Sequence, residues 1–286
     1  MEKQPSPVTD PHRRNTAEDT TAGSGPQPLS RSTVRHAQTP RATRTGDQHS
    51  SPGALPPAPG LLLRVLRRFT AGLEAVLEAV LKSIWFPVAL LLVLVVLTEQ
   101  VVTHGPLLAV DRWVRHTTLH LVAESSATWL NTLADYWTDF GSSAVAIPLM
   151  VLGTLTAAAR ARSWKPLAVS LLAGAALFAT VIPGKILIGR PGPEGQPMSP
   201  GEWGWFPSGH TSTSGVCLGT AAWLLGLTLA SGRLRRLLHG ATAFVCFGVG
   251  VTLIWCNYHW FLDVVAGWSL TGVILWCLVR WAPRPR

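Results

Sequence analysis

The sequence predicts an all-α protein: a bundle of six transmembrane helices, preceded by a disordered tail and an amphipathic juxtamembrane helix. Three observations lead there. Hydrophobic residues make up 48% of the 286 and charged residues only 14%, against roughly 25% charged in soluble domains. That deficit is uneven, with a polar first 60 residues and a strongly apolar remainder. Within the remainder, apolar runs recur at the length that a helix needs to cross a bilayer, about 20 residues.

Residues 1–58 are rich in Pro, Ser, Thr and Arg and show no hydrophobic period. Such a segment cannot bury enough surface to offset the entropy of ordering, so a disordered tail is expected. Arg13 and Arg14 are followed by no apolar stretch, which removes a twin-arginine signal. Between 59 and 83, Arg64, Arg67, Arg68, Glu74, Glu78 and Lys82 recur at steps of three and four. Leu63, Leu66, Leu73, Leu77 and Leu81 take the other faces, the pattern of a helix lying among headgroups.

The six-helix domain is expected over 84–286, with spans near 84–103, 143–160, 166–183, 209–231, 237–257 and 263–280. Arg160, Arg162 and Lys165 follow the second span, Arg233, Arg235 and Arg236 the fourth, and Arg280, Arg284 and Arg286 the sixth. Basic residues concentrate in cytoplasmic loops, so both termini are expected in the cytoplasm. The stretch from His104 to Ser142, the loop 184–208 and the turn at His259 then face outward. Trp113, Trp129, Tyr136 and Trp137 in the first of these predict helices at the outer interface. The same placement of basic residues at the ends of apolar runs argues against nucleic acid, despite a net charge of +9. Cys217, Cys246, Cys256 and Cys277 form no C-x-x-C pair and read as small apolar residues. No internal repeat of the kind that builds inverted-repeat transporters is evident, and nothing in the pattern assigns an oligomeric state.

Three polar clusters fall at the outer mouths of spans three to six: Lys185 to Pro193, Phe206 to His210, and His259 to Asp263. Ionisable residues at a membrane boundary are costly unless paired or used. Two histidines, a carboxylate and two cations on one side of the membrane make the composition of a phosphoryl-transfer site. Cations and a helix N-terminus neutralise phosphate oxygens. An imidazole oriented by a carboxylate is a nucleophile, and a second imidazole supplies a proton to the leaving group. A zinc site from His210, His259 and Asp263 is chemically possible, but the basic residues beside them favour phosphate. His116 and His120 have the spacing of two metal ligands on one helical face, without the Glu of H-E-x-x-H.

These clusters resemble the motifs of the type 2 phosphatidic acid phosphatases, the lipid phosphate phosphatases related to glucose-6-phosphatase and the vanadium haloperoxidases. That family carries Lys-x6-Arg-Pro, Pro-Ser-Gly-His and Ser-Arg-x5-His-x3-Asp on a six-helix core. Here the second motif is complete at Pro207–His210, and the third retains His259 and Asp263, followed by Val-Val-Ala-Gly at 264–267. The resemblance covers roughly residues 84–281. It implies that His259 attacks phosphorus, Asp263 fixes its tautomer, and His210 protonates the leaving oxygen and then activates water. Lys185, Ser208 and the Gly209 N–H would hold phosphate, with no metal and no cofactor.

Two departures stand out. Gly192 occupies the first motif's arginine position, with Arg190 two residues earlier as the substitute cation. Thr252-Leu253 replaces the Ser-Arg of the third motif. The reading implied is a membrane lipid phosphatase whose substrate is a phosphorylated lipid in the bilayer: an isoprenyl (undecaprenyl-type) diphosphate, phosphatidic acid or phosphatidylglycerol phosphate. A lipid phosphotransferase and a non-catalytic lipid, anion or transport protein keeping the pocket are the alternatives.

Overall fold

Apolar runs without strand-forming alternation become helices, because the backbone hydrogen bonds then close within the segment and need nothing from lipid. The computed structural model describes residues 63–64, 79–81, 83–195 and 203–282. The expected tail (1–58) and most of the expected juxtamembrane helix (59–83) lie outside these. Eight α-helices are bounded within the described residues: α1 Trp85–Val102, α2 Leu108–Glu124, α3 Thr128–Thr138, α4 Ser143–Ala161, α5 Lys165–Ile188, α6 Gly209–Leu227, α7 Gly232–Trp255 and α8 Phe261–Trp281. A 3-10 turn, Asp139–Gly141, joins α3 to α4.

The expected count of six spans is corrected to five. Among the described residues α1, α4, α5, α7 and α8 are long and apolar enough to cross a membrane. The sixth, α6, begins Gly-His-Thr-Ser-Thr-Ser-Gly and falls short on composition. Its place in the fold explains why. It packs against α4, α5, α7 and α8, and Thr211, Ser212, Thr213, Ser214 and Gly215 are all buried. An inner helix meets protein rather than lipid, and small residues let its neighbours approach closely. In its first turns two hydroxyls bond locally: Ser212 Oγ donates to the Ser208 carbonyl at 2.8 Å and Ser214 Oγ to that of Thr211 at 3.0 Å. A Cβ on Gly267 of α8 would stand 2.9 Å from the Thr211 Cβ, so α6 and α8 touch almost backbone to backbone.

The stretch expected at the interface forms α2, α3 and the 3-10 turn. Trp113, Trp129 and Tyr136 are exposed, whereas Trp137 turns inward and donates to the Val245 carbonyl of α7 at 3.2 Å. Helix α5 runs five residues beyond the expected end at 183, past Pro183, and so carries Lys185 in its last turn. The four cysteines are free, and Cys217 is buried.

Helix polarity sorts the ends of the bundle. The C-terminus of α5 and the N-termini of α6 and α8 meet at one end, where the Ser208 N–H donates to the Asp263 carbonyl at 3.0 Å. The N-terminus of α4 joins them, since a Cβ on the preceding Gly141 would lie 2.7 Å from His210 Cβ. Arg160, Arg162, Arg233, Arg235, Arg236 and Arg280 sit at the opposite helix ends. Residues 203–207 return against the end of α5: the Gly204 N–H donates to the Lys185 carbonyl at 3.2 Å and the Trp205 N–H to that of Arg190 at 2.9 Å.

Gly204 tests that seam. A Cβ there would meet backbone atoms of Arg190, Lys185 and Gly189 at 2.8–2.9 Å, while Gly174 on α5 faces open space. Gly204→Ala should lower thermal stability in detergent by about 1–3 kcal/mol through overpacking. Gly174→Ala should be neutral or stabilise by up to about 1 kcal/mol through helix propensity. Equal melting temperatures for the two variants would contradict the packing.

Candidate active site

Each of the three motif segments is positioned by a helix end. Gly189 closes α5 in the left-handed region at φ 58°, which a glycine adopts without penalty. This turns Arg190 back beneath the bundle end. Ser208 caps α6, its Oγ accepting from the Thr211 N–H at 3.3 Å and from the Thr211 hydroxyl at 2.9 Å. The Phe206–Pro207 peptide before it is cis. Helix α8 starts at Phe261 with no side-chain cap from Trp260, and its first turn presents Asp263 directly beneath His259.

His259 Nδ1 lies 3.3 Å from Asp263 Oδ2. Asp263 is fully buried and His259 is 8% exposed. Burial pushes the His259 imidazole below the ordinary histidine range, with the Asp263 hydrogen bond opposing it. His210, in the first turn of α6, lies within electrostatic range of His259, Lys185 and Asp139. The Lys185 ammonium donates to the Gly204 carbonyl at 2.8 Å, and a Cβ on Gly209 would stand 3.2 Å from Lys185 Cε. The lysine thus lies across the α6 N-terminus, where unpaired N–H groups and the helix dipole favour an anion.

The structure brings together Lys185, Ser208, Gly209, His210, His259 and Asp263. It places Arg190 differently from the expectation of a cation reaching for phosphate. The Arg190 guanidinium is 6% exposed. Its Nη1 donates to Asp263 Oδ1 and its Nη2 to Asp111 Oδ2, while the Trp260 ring covers it at 5.3 Å. Gly192 cannot be replaced in place by the expected arginine, since a Cβ there would stand 2.8 Å from the Trp205 ring. The second motif departure, Leu253, is buried in an apolar cluster with Val249 and Val264.

Asp111 is the site residue that the sequence did not reveal. It sits in the first turn of α2, is 1% exposed, and accepts the Leu262 N–H at 2.8 Å. It is the buried residue of an otherwise surface-facing helix, and no sequence motif marks it.

Two cavities share an apolar wall, and one of them reaches His210. One, of about 160 Å³, is lined by Lys185, Gly209, His210 and Thr213 with Leu177 and Phe178. The other, of about 450 Å³, runs between α4 and α5 and shares Ile147, Leu177 and Phe178 with the first. Apolar walls thus lead to a polar, cationic end. His116 and His120 are exposed on α2 with their Nε2 atoms 3.2 Å apart. Among the described residues no group of three or more His, Cys, Asp or Glu is placed to hold a metal.

Residues 163–286 match the PAP2 superfamily. The chain is similar in structure to a transmembrane PAP2-type phosphatidylglycerolphosphate phosphatase from Bacillus subtilis, with a TM-score of 0.58 and 23% identity. That likeness covers 68% of this chain and 94% of the other. No curated protein matches. The family match supports the resemblance carried by the three motifs, and the structural likeness supports the all-helical membrane fold.

The Ser208 cap has a measurable weight. Ser208→Ala removes the acceptor for both the Thr211 N–H and hydroxyl, and should cost about 1–2 kcal/mol by thermal unfolding. Ser208→Thr should recover most of it. An alanine variant as stable as the parent would mean the cap does not hold the α6 N-terminus.

Proposed function

With residues 163–286 matched to the PAP2 superfamily, we propose that the chain is a membrane lipid phosphatase working through a phosphohistidine at the outer face of the membrane. The observation that carries this is the meeting of the buried His259–Asp263 pair with His210 and Lys185, the last two lining a cavity that shares apolar walls with a second one between α4 and α5. A phosphoric ester hydrolase needs the polar groups, and a lipid chain accounts for the apolar walls.

Lys185, Ser208 and the Gly209 N–H hold the phosphate. The neutral His259 attacks phosphorus through Nε2 while its Nδ1–H donates to Asp263, which stabilises the imidazolium as it forms. The N–P bond forms, the P–O bond breaks, and protonated His210 gives its proton to the leaving alkoxide. Neutral His210 then takes a proton from water, whose oxygen attacks phosphorus and breaks the N–P bond. Inorganic phosphate leaves and both imidazoles are restored. The groups named supply every proton and charge that the cycle uses, so no metal is invoked.

Orientation follows from charge. The basic loop residues lie at the helix ends opposite the site, and basic residues favour the cytoplasmic side. The site therefore faces outward, and because α6 also runs from the site end to the basic end, beside the five apolar spans, both termini lie inside. An isoprenyl diphosphate, phosphatidic acid or phosphatidylglycerol phosphate all present a phosphoryl group at the end of a long apolar chain.

Buried Leu253, where the family carries an arginine, favours a second reading: a lipid or anion binder that has lost turnover. Phosphate release separates the two. Purified protein should release phosphate from these lipids in the presence of EDTA, and His259→Ala should lose roughly a thousandfold or more of that rate. Vanadate binding without turnover would instead establish the binder. The pH profile gives a further check. Because His259 must be neutral and burial lowers its pKa, the acid limb of kcat/KM should fall below the ordinary histidine value of about 6.5. A limb above that value would contradict the buried nucleophile.

A further inference from the structure

Arg190 links two carboxylates from distant parts of the chain. Asp263 belongs to the first turn of α8 and Asp111 to that of α2, and the guanidinium spans them with one terminal nitrogen on each. The other oxygen of Asp111 accepts the Leu262 N–H at 2.8 Å, which caps α8 from outside because Trp260 provides no cap of its own. One carboxylate on α2 therefore fixes both the helix that carries Asp263 and the cation that contacts it.

We propose that Asp111 is a positioning residue for the phosphoryl-transfer site: acting through Arg190, it holds Asp263 against His259 and keeps the guanidinium away from the phosphate. The claim rests on the phosphatase reading above and deepens it. A guanidinium with no second carboxylate to balance it would pair with Asp263 alone and draw that oxygen's charge away from the imidazole. Asp111 shares the cation, so Asp263 remains a strong acceptor for His259. Arg190 cannot turn to phosphate without leaving a buried carboxylate unpaired, which is expensive. The Trp260 ring at 5.3 Å closes the remaining face. The missing motif arginine is thus not replaced by Arg190. Phosphate is neutralised by Lys185 and the α6 N-terminus, while Arg190 and Asp111 tune the nucleophile.

The charged and titratable groups around this arrangement come from five elements. Asp263 from α8, Lys185 from α5 and Arg190 from the turn after it face His259. His210 from α6 faces His259 and Lys185, and Asp139 from the 3-10 turn faces His210. Asp111 is not among the groups that face His259 and reaches it through Arg190.

The test uses full-length protein in detergent, comparing wild type, Asp111→Asn and Arg190→Lys, with His259→Ala as the control for the phosphatase reading. Asparagine keeps the oxygen that caps Leu262 but removes the charge and the acceptor for Arg190, and lysine keeps the charge but cannot span both carboxylates. Each variant should lower kcat roughly 10–100-fold, the usual weight of an outer orienting partner. KM and vanadate affinity should stay within about threefold of wild type, since no phosphate contact is lost. Asp111→Asn should also move the acid limb of kcat/KM to lower pH, and an imidazole NMR titration of His259 should shift in the same direction. An unchanged limb and unchanged kcat in Asp111→Asn would overturn the proposal. So would a loss of vanadate affinity in Arg190→Lys that keeps step with its loss of kcat, since that marks a phosphate ligand. If Asp111→Asn does not fold, the vanadate result for Arg190→Lys decides. If wild type releases no phosphate, the phosphatase reading fails, and the His259 titration still decides whether Asp111 acts on that ring.

Discussion

Asp263 is the residue through which the three motif segments become one site. Its backbone carbonyl accepts the Ser208 N–H at 3.0 Å, one side-chain oxygen takes Arg190, and the other lies 3.3 Å from His259 Nδ1. The residue has no exposed surface. A buried carboxylate persists only where partners satisfy it, so its position compels the α5 end, the α6 cap and the α8 start to converge. The close approach of Gly267 to Thr211 follows from the same demand, since a bulkier residue would hold α8 away from α6.

That convergence explains the polarity of α6. A helix whose N-terminus opens into the candidate site lies here among other helices, where small and hydroxylated residues pack closely. Its neighbours meet lipid and remain apolar. The bundle thereby sets Lys185 and His210 in a cavity that shares apolar walls with a second one between α4 and α5.

Much of this was legible in the sequence. Apolar length placed α1, α4, α5, α7 and α8 within a few residues, and the order Lys185, Ser208–His210, His259 and Asp263 identified the side chains that the fold gathers. What escaped the sequence is physically specific. The expected span stops at 183, yet a proline late in a packed helix is tolerated, and α5 continues past Pro183 to Ile188. The composition of α6 is that of an inner helix, which hydropathy does not distinguish from a shortened span. Asp111 stands next to Arg112 on a helix with many polar residues, and nothing local marks it as buried. Its partners Arg190 and Leu262 lie 79 and 151 residues away, and only tertiary structure joins them. The role of Arg190 was hidden for the same reason: a cation near a phosphate motif reads as a phosphate ligand until the second carboxylate is seen.

The central claim is that His259 carries the phosphoryl group between two half-reactions governed by His210. The most direct measurement is an alkaline quench of His210→Gln protein turning over a radiolabelled aryl phosphate, whose leaving group needs no proton, followed by mapping of the label. The account predicts alkali-stable, acid-labile label on His259, accumulating because the variant cannot activate water. Label on another residue, or release of phosphate at the parent rate with no labelled protein, would contradict it.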